Sequence, residues 1–549
     1  MLGLMMDGPL LIPNVLEYAA RYHPTKEIVS RNEDSTLNRY GYADAAGRVR
    51  QLANALNRLG LEPGDRVATL AWNNHRHFEL YYGIPGTGLV CHTINPRLFP
   101  EQLVFILNDA QDKYLFADAF FAPLVAGVAP HAKGLRGIVF MCDRAHMPKD
   151  LPATLPPVLC YEDLLAAETD QFDWPQLDER TAAGLCYTSG TTGNPKGVLY
   201  SHRSTVLHAL GVNQPGLFGI SPEESVLPVV PMFHVNAWGI PYAAAMVGAR
   251  LVFPGPRLDG PGLLEIIHGE KVTLGAGVPT IWLNLLNHAD QAGQSVAPMR
   301  RVVVGGAACP QTLIERFAAH KALAVHAWGM TETSPLGSVS VLSPNHEFLA
   351  PADKVKLLLK QGRAPFGIEM RITGPDGKPM PWDGVARGDL EVRGPWIAGG
   401  YFNNDDRSQF TDDGWFRTGD ISTIDAEGFM NIVDRSKDVI KSGGEWISSI
   451  ELENLAMSHP SVLEAAVIAR VDTRWSERPR YIIALRDGKT LSGPELRAFI
   501  APHIASWWIP EDMILVKELP HGGTGKVLKV DLRARYGAEH HPEAIRLAE

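Results

Sequence analysis

A loop rich in glycine and hydroxyl groups gives the first indication of chemistry, and residues 187–198 read Tyr187-Thr188-Ser189-Gly190-Thr191-Thr192-Gly193-Asn194-Pro195-Lys196-Gly197-Val198. Glycine carries no Cβ, so the backbone N–H groups of such a loop can turn toward an anion. The hydroxyl groups add hydrogen-bond donors, and Lys196 adds a positive charge. The P-loop pattern does not fit, because Pro195 stands where that pattern requires glycine. The loop is therefore predicted to bind the phosphates of a nucleotide by another arrangement, with ATP as the candidate.

Strands that run into glycine-rich turns recur along the chain and predict an α/β fold. Apolar positions repeat at helical spacing over residues 44–59, and residues 65–70 follow as a strand. Further strands are predicted at residues 301–304, before Gly305-Gly306, and at residues 271–274, before Gly275-Ala276-Gly277. A strand over residues 183–187 leads into the loop quoted above. In open α/β sheets, ligands bind where strands end in such turns.

The character of the sequence changes near Asp434, which predicts two domains. Residues 1–433 are predicted to form a large N-terminal domain of two α/β lobes, with a smaller β lobe near residues 365–433. Residues 439–549 are predicted to form a small α+β domain, in which Ser448 has the position of a capping residue at the start of a helix.

Bulk composition limits the classes of function. The 549 residues are 45% hydrophobic and 20% charged, as in a globular protein with several cores. A net charge of −10, without a dense basic run, argues against a nucleic-acid partner. No two of the five cysteines have CxxC spacing, which favours reduced thiols and a cytoplasmic location. Cys186 precedes the loop, but no base accompanies it, so buried packing is predicted.

The N-terminal nine residues are apolar but lack a basic leader. Asp7, Pro9 and Pro13 interrupt the apolar run. We therefore expect neither a signal peptide nor a membrane-spanning segment. Contact with a membrane surface and contact with a partner subunit both stay open.

Five further segments accompany the loop, in a fixed order. They are Gly329-Met330-Thr331-Glu332-Thr333, the stretch from Tyr401 to Asp420 with its run Gly414-Trp415-Phe416-Arg417-Thr418-Gly419-Asp420, Asp434-Arg435-Ser436-Lys437-Asp438, Lys441-Ser442-Gly443-Gly444-Glu445, and Gly525-Lys526. Together with the loop, this set resembles the adenylate-forming superfamily of acyl-CoA synthetases, peptide-synthetase adenylation domains and luciferases. The resemblance spans nearly the whole chain. It is strongest to the medium- and long-chain fatty acyl-CoA synthetases, through residues 231–238 and 442–449.

The resemblance implies a solution to a charge problem. A carboxylate that attacks the α-phosphate of ATP meets a like charge, and at about 4 Å in a surface-like dielectric the repulsion amounts to about 4 kcal/mol. In this superfamily the lysine matching Lys526 bridges the carboxylate and the α-phosphate. Glu332 resembles the Mg²⁺ carboxylate, with Thr188 as a hydroxyl ligand. The chain departs from the usual pattern at His521-Gly522, where a basic residue and threonine are common.

The same resemblance assigns the nucleotide contacts. Trp328, where the superfamily usually has tyrosine, is expected to stack on adenine. Asp420 is expected to accept hydrogen bonds from the ribose hydroxyls, and Arg435 to contact the ribose or phosphate. The remaining expected contacts to the nucleotide are Thr188, Ser189, Gly190, Thr191, Thr192, Gly193, Lys196, Gly305, Gly306, Ala307, Gly329, Met330 and Thr331.

An apolar acyl pocket and a path for CoA complete the predicted site. The pocket candidates carry no acidic or basic anchor, which predicts an uncharged substrate tail, and they are His234, Trp238, Gly239, Val278, Pro279, Gly305, Pro335 and Leu336. In the fatty acyl relatives the position of Trp238 gates the acyl tunnel, and we count His234 among the catalytic residues as well. Residues 441–446, Lys441-Ser442-Gly443-Gly444-Glu445-Trp446, are expected to line the CoA path. Residues 434–438 are the predicted hinge, with rotation at Asp434 between the two half-reactions.

The implied activity is an ATP- and Mg²⁺-dependent ligation of a carboxylic acid to CoA, with a medium- or long-chain fatty acid favoured. Within this chemistry a short thioether acid such as 3-methylmercaptopropionate, a branched acid or an aryl acid is the alternative. An enzyme that loads a carrier protein, a luciferase-type oxygenase and a non-catalytic fatty-acid-binding protein are the other classes considered. Several relatives are homodimers, and a homodimer is an open expectation here.

Overall fold

The computed structural model describes residues 1, 3–188, 194–442, 445–522 and 527–547, and for Glu445 the backbone alone. Among the described residues, no helix combines the length and apolar character that a membrane crossing needs. The α-helices are Ile12–Tyr22, Tyr42–Arg58, His75–Gly86, Pro100–Ala110, Ala122–Val128, Tyr161–Ala166, His202–Val212, Ile240–Val247, Gly260–Gly269, Pro279–Gln291, Gln311–Ala319, Pro351–Leu359, Ser449–Met457, Gly493–Ile500 and Lys529–Tyr536. Short 3₁₀ turns lie at Ala119–Phe121, Ala129–His131, Arg144–His146, Thr331–Thr333, Pro344–His346, Ala501–His503 and Ser506–Trp508.

The strands alternate with these helices over most of the chain. They are β1 Glu27–Arg31, β2 Leu37–Gly41, β3 Arg66–Leu70, β4 Val90–Thr93, β5 Tyr114–Ala117, β6 Gly137–Phe140, β7 Val158–Cys160, β8 Ala182–Tyr187, β9 Gly197–Ser201, β10 Ser225–Pro228, β11 Arg250–Phe253, β12 Leu274–Gly277, β13 Arg301–Val304, β14 Leu323–Gly329, β15 Leu336–Ser340, β16 Glu369–Thr373, β17 Gly388–Arg393, β18 Phe416–Ile424, β19 Met430–Arg435, β20 Ile440–Ser442, β21 Glu445–Ile447, β22 Val462–Asp472, β23 Ser476–Leu485, β24 Asp512–Val516 and β25 Ile545–Arg546.

Two mostly parallel sheets form the larger part of the fold. One has the strand order β15-β14-β13-β12-β10-β11-β1-β2, and the other has the order β7-β6-β5-β3-β4-β8-β9. Their central strands are buried on both faces, as parallel strands covered by helices are. This arrangement confirms the α/β class expected from the sequence. It also confirms the helix predicted over residues 44–59, which is observed at Tyr42–Arg58.

One predicted strand was misplaced by three residues. The strand expected at residues 271–274 is observed at Leu274–Gly277, so the glycines lie within β12 instead of after it. The reason is packing against Trp282: a Cβ on Gly275 would lie 2.8 Å from its ring, and one on Gly277 would lie 3.1 Å away. Glycine in a strand interior often marks a close approach of this kind.

By compactness the chain divides into two units. The N-terminal unit contains residues 1–369 and 393–416, and the C-terminal unit contains residues 370–392 and 417–549. The C-terminal unit holds the sheet β16-β17-β18-β19 and the sheet β21-β20-β23-β24-β25, to which β22 adds beside β23. Most of the β lobe expected in the N-terminal domain is thus grouped with the C-terminal residues. The boundary at residue 433, which concerns domain movement, stays a prediction.

Candidate active site

Four parallel strands of the larger sheet end at one edge, and predicted site residues follow each of them. β12 lies between β10 and β13, and β13 pairs with β14, all in parallel register. Because the carboxyl ends of parallel neighbours meet at one edge, the segments that follow them come together. Those segments begin at Val229, Val278, Gly305 and Met330. The expected adenine and acyl residues of the N-terminal unit therefore share one edge of the sheet.

The phosphate loop is held at its base by a hairpin of the other sheet. β8 and β9 pair antiparallel, with Tyr187 opposite Gly197. The Thr188 N–H donates to the Lys196 carbonyl at 2.9 Å, which continues the ladder by one step. Lys196 Nζ lies 3.2 Å from Asp406 Oδ2. The predicted phosphate contacts Ser189, Gly190, Thr191, Thr192 and Gly193 lie outside the described residues.

Glu332 lies in the 3₁₀ turn that follows β14, and hydrogen bonds from two other segments fix this turn. The Tyr200 hydroxyl on β9 donates to the Thr331 carbonyl at 2.7 Å. The Ala398 N–H donates to the Glu332 carbonyl at 2.7 Å. Glu332 itself is only 6% exposed. The turn that carries the expected metal carboxylate is thus tied directly to the phosphate hairpin.

Tyr401 connects the two predicted phosphate-site groups, and the sequence analysis missed its role. Its hydroxyl donates to Glu332 Oε1 at 2.8 Å. Its ring lies 4.9 Å, centroid to Nζ, from Lys196, within the range of a cation–π contact. The next residue anchors this segment, because the Phe402 N–H donates to the Gly197 carbonyl at 2.8 Å. The signal available in the sequence was only that Tyr401 opens the segment that ends at Asp420.

The residues at this place fit a magnesium ion that is bound together with substrate phosphates. Mg²⁺ keeps several waters and takes one or two protein oxygens in such sites. Glu332 supplies a carboxylate that Tyr401 orients, and Thr188 supplies a hydroxyl at the end of β8. Within the described ranges, no group of three or more His, Cys, Asp or Glu side chains could hold a metal without such help.

Small residues and an indole line the expected adenine position. Gly306 has a φ of +81°, a backbone conformation that favours glycine. Gly305 is in close contact with Trp238, since a Cβ there would lie 3.0 Å from the indole ring. Trp328 is 7% exposed, and its ring lies against Gly337. One face of the Trp328 ring is therefore occupied, and its stacking on adenine stays a prediction, as do the contacts of Ala307, Gly329 and Met330.

An unusual turn at Val235–Trp238 contains the acyl candidate Trp238. These four residues have φ values of 46°, 52°, 48° and 56°, all in the left-handed region. Such a conformation is costly for β-branched and bulky side chains and is found mainly at functional sites. It directs Trp238, which is 7% exposed, over Gly305. The turn brings Trp238 and Gly305 together, and their roles in binding the acyl chain stay predictions.

A neutral histidine lies behind the acyl candidates Gly239 and Leu336. The Leu336 N–H donates to His208 Nε2 at 3.3 Å. A Cβ on Gly239 would lie 2.6 Å from His208 Nδ1, so the imidazole packs on that glycine. Burial lowers the pKa of His208 to about 3, which keeps it neutral and able to accept the bond. The pocket roles of His234, Val278, Pro279 and Pro335 stay predictions.

In the C-terminal unit, Asp420 and Arg435 form one pair. They are directly opposite on β18 and β19. Arg435 Nε lies 2.7 Å from Asp420 Oδ1, and Asp420 is 1% exposed. The arrangement holds a carboxylate with a defined orientation, as the recognition of ribose hydroxyls would need. Both ribose assignments stay predictions.

Asp434 caps a helix as well as occupying the predicted hinge. Its Oδ2 accepts the Ser449 N–H at 2.5 Å and its Oδ1 accepts the Ser449 hydroxyl at 3.0 Å. Ser448 caps the same helix, because its side chain accepts the Glu451 N–H, as predicted. Lys441 and Trp446 are cross-strand partners on β20 and β21, with Ser442 ending β20. Gly443, Gly444 and Lys526 lie outside the described residues, as does the side chain of Glu445.

Cys186 contributes packing to this region. It is 3% exposed on β8, and the hydroxyl of Thr93 lies 3.0 Å from its Sγ. Burial raises the pKa of the Cys186 thiol to about 11, so a thiolate nucleophile is disfavoured at neutral pH. The predicted structural role of Cys186 agrees with this environment.

The strand-end segments and the phosphate hairpin have the arrangement of a nucleotide-binding site in an α/β fold. The sequence model for the AMP-binding enzyme matches residues 16–402, and that for the AMP-binding enzyme C-terminal domain matches residues 451–526. The chain therefore belongs to the AMP-binding enzyme family, the adenylate-forming class. Within this family, the chain is an AMP-forming acid–thiol ligase that uses ATP, Mg²⁺ and CoA.

Relatives of known activity match the chain from end to end. The 3-methylmercaptopropionyl-CoA ligase of Ruegeria lacuscaerulensis is 49% identical over 98% of this chain and 99% of its own. The medium-chain-fatty-acid–CoA ligase of Ectopseudomonas oleovorans is 47% identical over 98% of each chain. In fold, the chain resembles the crystal structure of the anthranilate CoA ligase AuaEII in complex with anthranoyl-AMP. That likeness has a TM-score of 0.85 at 24% identity, over 96% of this chain and 98% of that one.

Proposed function

We propose that the protein activates a medium- to long-chain fatty acid with ATP and transfers the acyl group to CoA. The first half-reaction joins the carboxylate to the α-phosphate, which forms an acyl-adenylate and releases pyrophosphate. In the second, the CoA thiol attacks the acyl carbonyl carbon, and AMP leaves. The observation that carries this proposal is the connected group Glu332–Tyr401–Lys196 at the base of the phosphate loop.

Each residue of this group has a defined task in the first half-reaction. Bound Mg²⁺ would supply positive charge to the phosphates. Glu332 and Thr188 would hold it, with the Glu332 carboxylate oriented by the Tyr401 hydroxyl. Lys196 would place a further positive charge beside the phosphate loop. Lys526, which follows from the family motif, would bridge the carboxylate and the α-phosphate in the transition state, where such charge has the greatest effect on rate.

The acyl pocket supports an uncharged substrate tail. Trp238 and Gly305 lie against each other at the sheet edge, and neutral His208 supports the neighbouring Gly239 and Leu336. The second candidate is a short thioether acid, because the relative at 49% identity is named for 3-methylmercaptopropionyl-CoA. Both substrate tails are uncharged, so the size of the acyl pocket determines which of the two acids is preferred.

The remaining assignments concern movement, assembly and location. We propose that the residues after Asp434 rotate as a small domain, so that Lys526 serves adenylation and residues 441–446 serve thiol attack. We also propose a cytoplasmic enzyme, in keeping with five cysteines that are all free thiols. A homodimer is the proposed assembly.

A panel of acids tests this function. AMP release is measured with Mg-ATP over straight-chain acids from C4 to C16 and 3-methylmercaptopropionate, with and without CoA. We expect CoA-dependent turnover with the highest kcat/KM for a medium- or long-chain acid. A maximum at 3-methylmercaptopropionate would assign the second candidate. The absence of turnover with every acid would contradict the proposal.

A further inference from the structure

A buried ionic cluster joins the predicted hinge to the helix that follows the Lys526 loop. Lys529 Nζ lies 2.6 Å from Glu453 Oε1 and donates to the Ser449 hydroxyl at 2.6 Å. The Ser449 hydroxyl in turn donates to Asp434 Oδ1 at 3.0 Å. The cluster therefore runs without a break from Lys529 through Ser449 to Asp434.

The positive charge of Lys529 is compensated within the cluster. The Lys529 side chain is 13% exposed and that of Glu453 is 14% exposed, while Asp434 is fully buried. Burial alone would lower the pKa of Lys529, but the carboxylates of Glu453, Asp434 and Asp438 raise it, so the side chain stays cationic. Glu453 has a second donor, because the Val467 N–H lies 2.7 Å from its Oε1. Removing one partner from such a cluster is costly, because an uncompensated charge stays buried.

These carboxylates explain why a lysine occupies an electrostatically unfavourable position in its helix. Lys529 is the first residue of helix Lys529–Tyr536, where the helix dipole disfavours a cation. Arg533, one turn later on the same face, forms a second ion pair with Asp438, at 2.5 Å. Thus two cations of this helix face the hinge segment 434–438, one through Ser449 and one directly.

We infer that Lys529 is a positioning residue that fixes the end of the Lys526 loop to the hinge carboxylate. In the sequence, Lys526 precedes Lys529 by three residues, and no other element lies between them. A displaced helix start would displace the residues that precede it in the chain, Lys526 among them. This inference rests on the proposed function, in which Lys526 acts in adenylation and not in thiol attack.

The test measures the two half-reactions separately in Lys529→Met. Adenylation is followed by carboxylate-dependent exchange of pyrophosphate into ATP, and thioester formation by reaction of preformed acyl-adenylate with CoA. We expect exchange to fall about 100-fold, as a displacement of about 1 Å at a catalytic group does. Thioester formation is expected to change less than about threefold, since it does not use Lys526. Lys529→Arg, which keeps the cation, is expected to recover most of the exchange rate.

Arg470→Met is the matched control for loss of a buried cation in the same unit. Arg470 is 4% exposed and lies 2.6 Å from Glu511, with Asp472 and Asp512 as its other acidic neighbours. Its loss is expected to lower the melting temperature without separating the two half-reactions. Ser449→Ala serves if Lys529→Met does not fold, since it removes the link and keeps every charge. We expect exchange to fall about tenfold in Ser449→Ala.

The outcomes separate this inference from the proposed function. Selective loss of exchange in Lys529→Met or Ser449→Ala, with recovery in Lys529→Arg, supports a positioning role. Equal loss of both half-reactions, or no loss in either, overturns it while the wild type still makes acyl-CoA. A wild type that forms no acyl-adenylate from any acid overturns the proposed function, and the inference with it.

Discussion

Replacement of Tyr401 by phenylalanine tests the group at the base of the phosphate loop. The change keeps the ring beneath Lys196 and removes only the hydroxyl that donates to Glu332 at 2.8 Å. We expect the Mg²⁺ concentration required for half-maximal adenylation to rise, because the Glu332 carboxylate loses the donor that orients it. The KM for the fatty acid should stay near that of the wild type, because the hydroxyl that is lost donates to Glu332.

The size of the effect follows from the kind of bond that is lost. A hydrogen bond to a charged group contributes about 1.5–3 kcal/mol, and Glu332 is almost fully buried. Loss of a side chain that hydrogen-bonds to a metal ligand typically lowers metal affinity by about 10–100-fold. The contact of Lys196 with the ring is weaker, because the Lys196 side chain is 33% exposed and its partner Asp406 is 46% exposed. Tyr401→Leu should therefore add less than about tenfold to the effect of Tyr401→Phe.

Two measurements and one control check this prediction. Pyrophosphate exchange is titrated with Mg²⁺ at fixed ATP, and stabilisation of the folded protein by Mg-ATP is followed by thermal unfolding without any acid. Tyr42→Phe is the matched control, because it removes a buried hydroxyl that donates to the Ala249 carbonyl at 2.8 Å. An unchanged Mg²⁺ requirement in Tyr401→Phe, or an equal change in Tyr42→Phe, would refute the reasoning.

Three further predictions concern the acyl pocket, acid stability and the hinge. In Trp238→Gly, glycine tolerates the φ of +56°, and the indole over Gly305 is removed. The kcat/KM should then shift toward longer acids, by about fourfold for each methylene that is newly buried. An unchanged dependence of kcat/KM on chain length from C4 to C16 would exclude Trp238 as a determinant of chain length. The pKa values of His77, His202, His208 and His326 are lowered by burial to about 4, 4, 3 and 4, so only the unfolded chain gains their protons as the pH falls through about 6.5. The unfolding free energy should consequently fall by about 1 kcal/mol for each of the four between pH 7 and pH 5.5, and a denaturant midpoint that is constant or higher at pH 5.5 would contradict this sign. Asp434→Pro and Asp434→Asn both remove the carboxylate, but only proline fixes φ, so Asp434→Pro should slow thioester formation more than Asp434→Asn does. Equal rates of thioester formation in the two variants would count against rotation at this residue.

Local patterns in the sequence were sufficient for the elements that carry the site. The strand predicted at residues 301–304 is observed with those bounds, and the capping role of Ser448 is confirmed. Both depend on neighbouring residues, namely an apolar run before glycines and a capping residue before a helix. The shift of β12 to Leu274–Gly277 could not be predicted, because the cause is Trp282 on the following helix.

The contacts that organise the site depend on residues far apart in the chain. Tyr401 and Glu332 are separated by 69 positions, and Lys529 and Ser449 by 80. Hydrogen bonds at such separations leave no periodicity in one sequence. The left-handed turn at Val235–Trp238 was also unpredictable, because valine and tryptophan normally avoid a positive φ. The family motifs predicted the residues, and the structure supplied their hydrogen-bond partners.

Direct detection of the acyl-adenylate tests the central claim of charge compensation at the phosphates. The purified protein is incubated with Mg-ATP and a medium- or long-chain fatty acid in the absence of CoA, and the products are identified by mass spectrometry. The account predicts an acyl-adenylate that accumulates on the wild type, is lost in Lys526→Ala, and disappears on addition of CoA as acyl-CoA and AMP form. An acyl-adenylate formed equally by Lys526→Ala, or acyl-CoA formed without any adenylate, would contradict it.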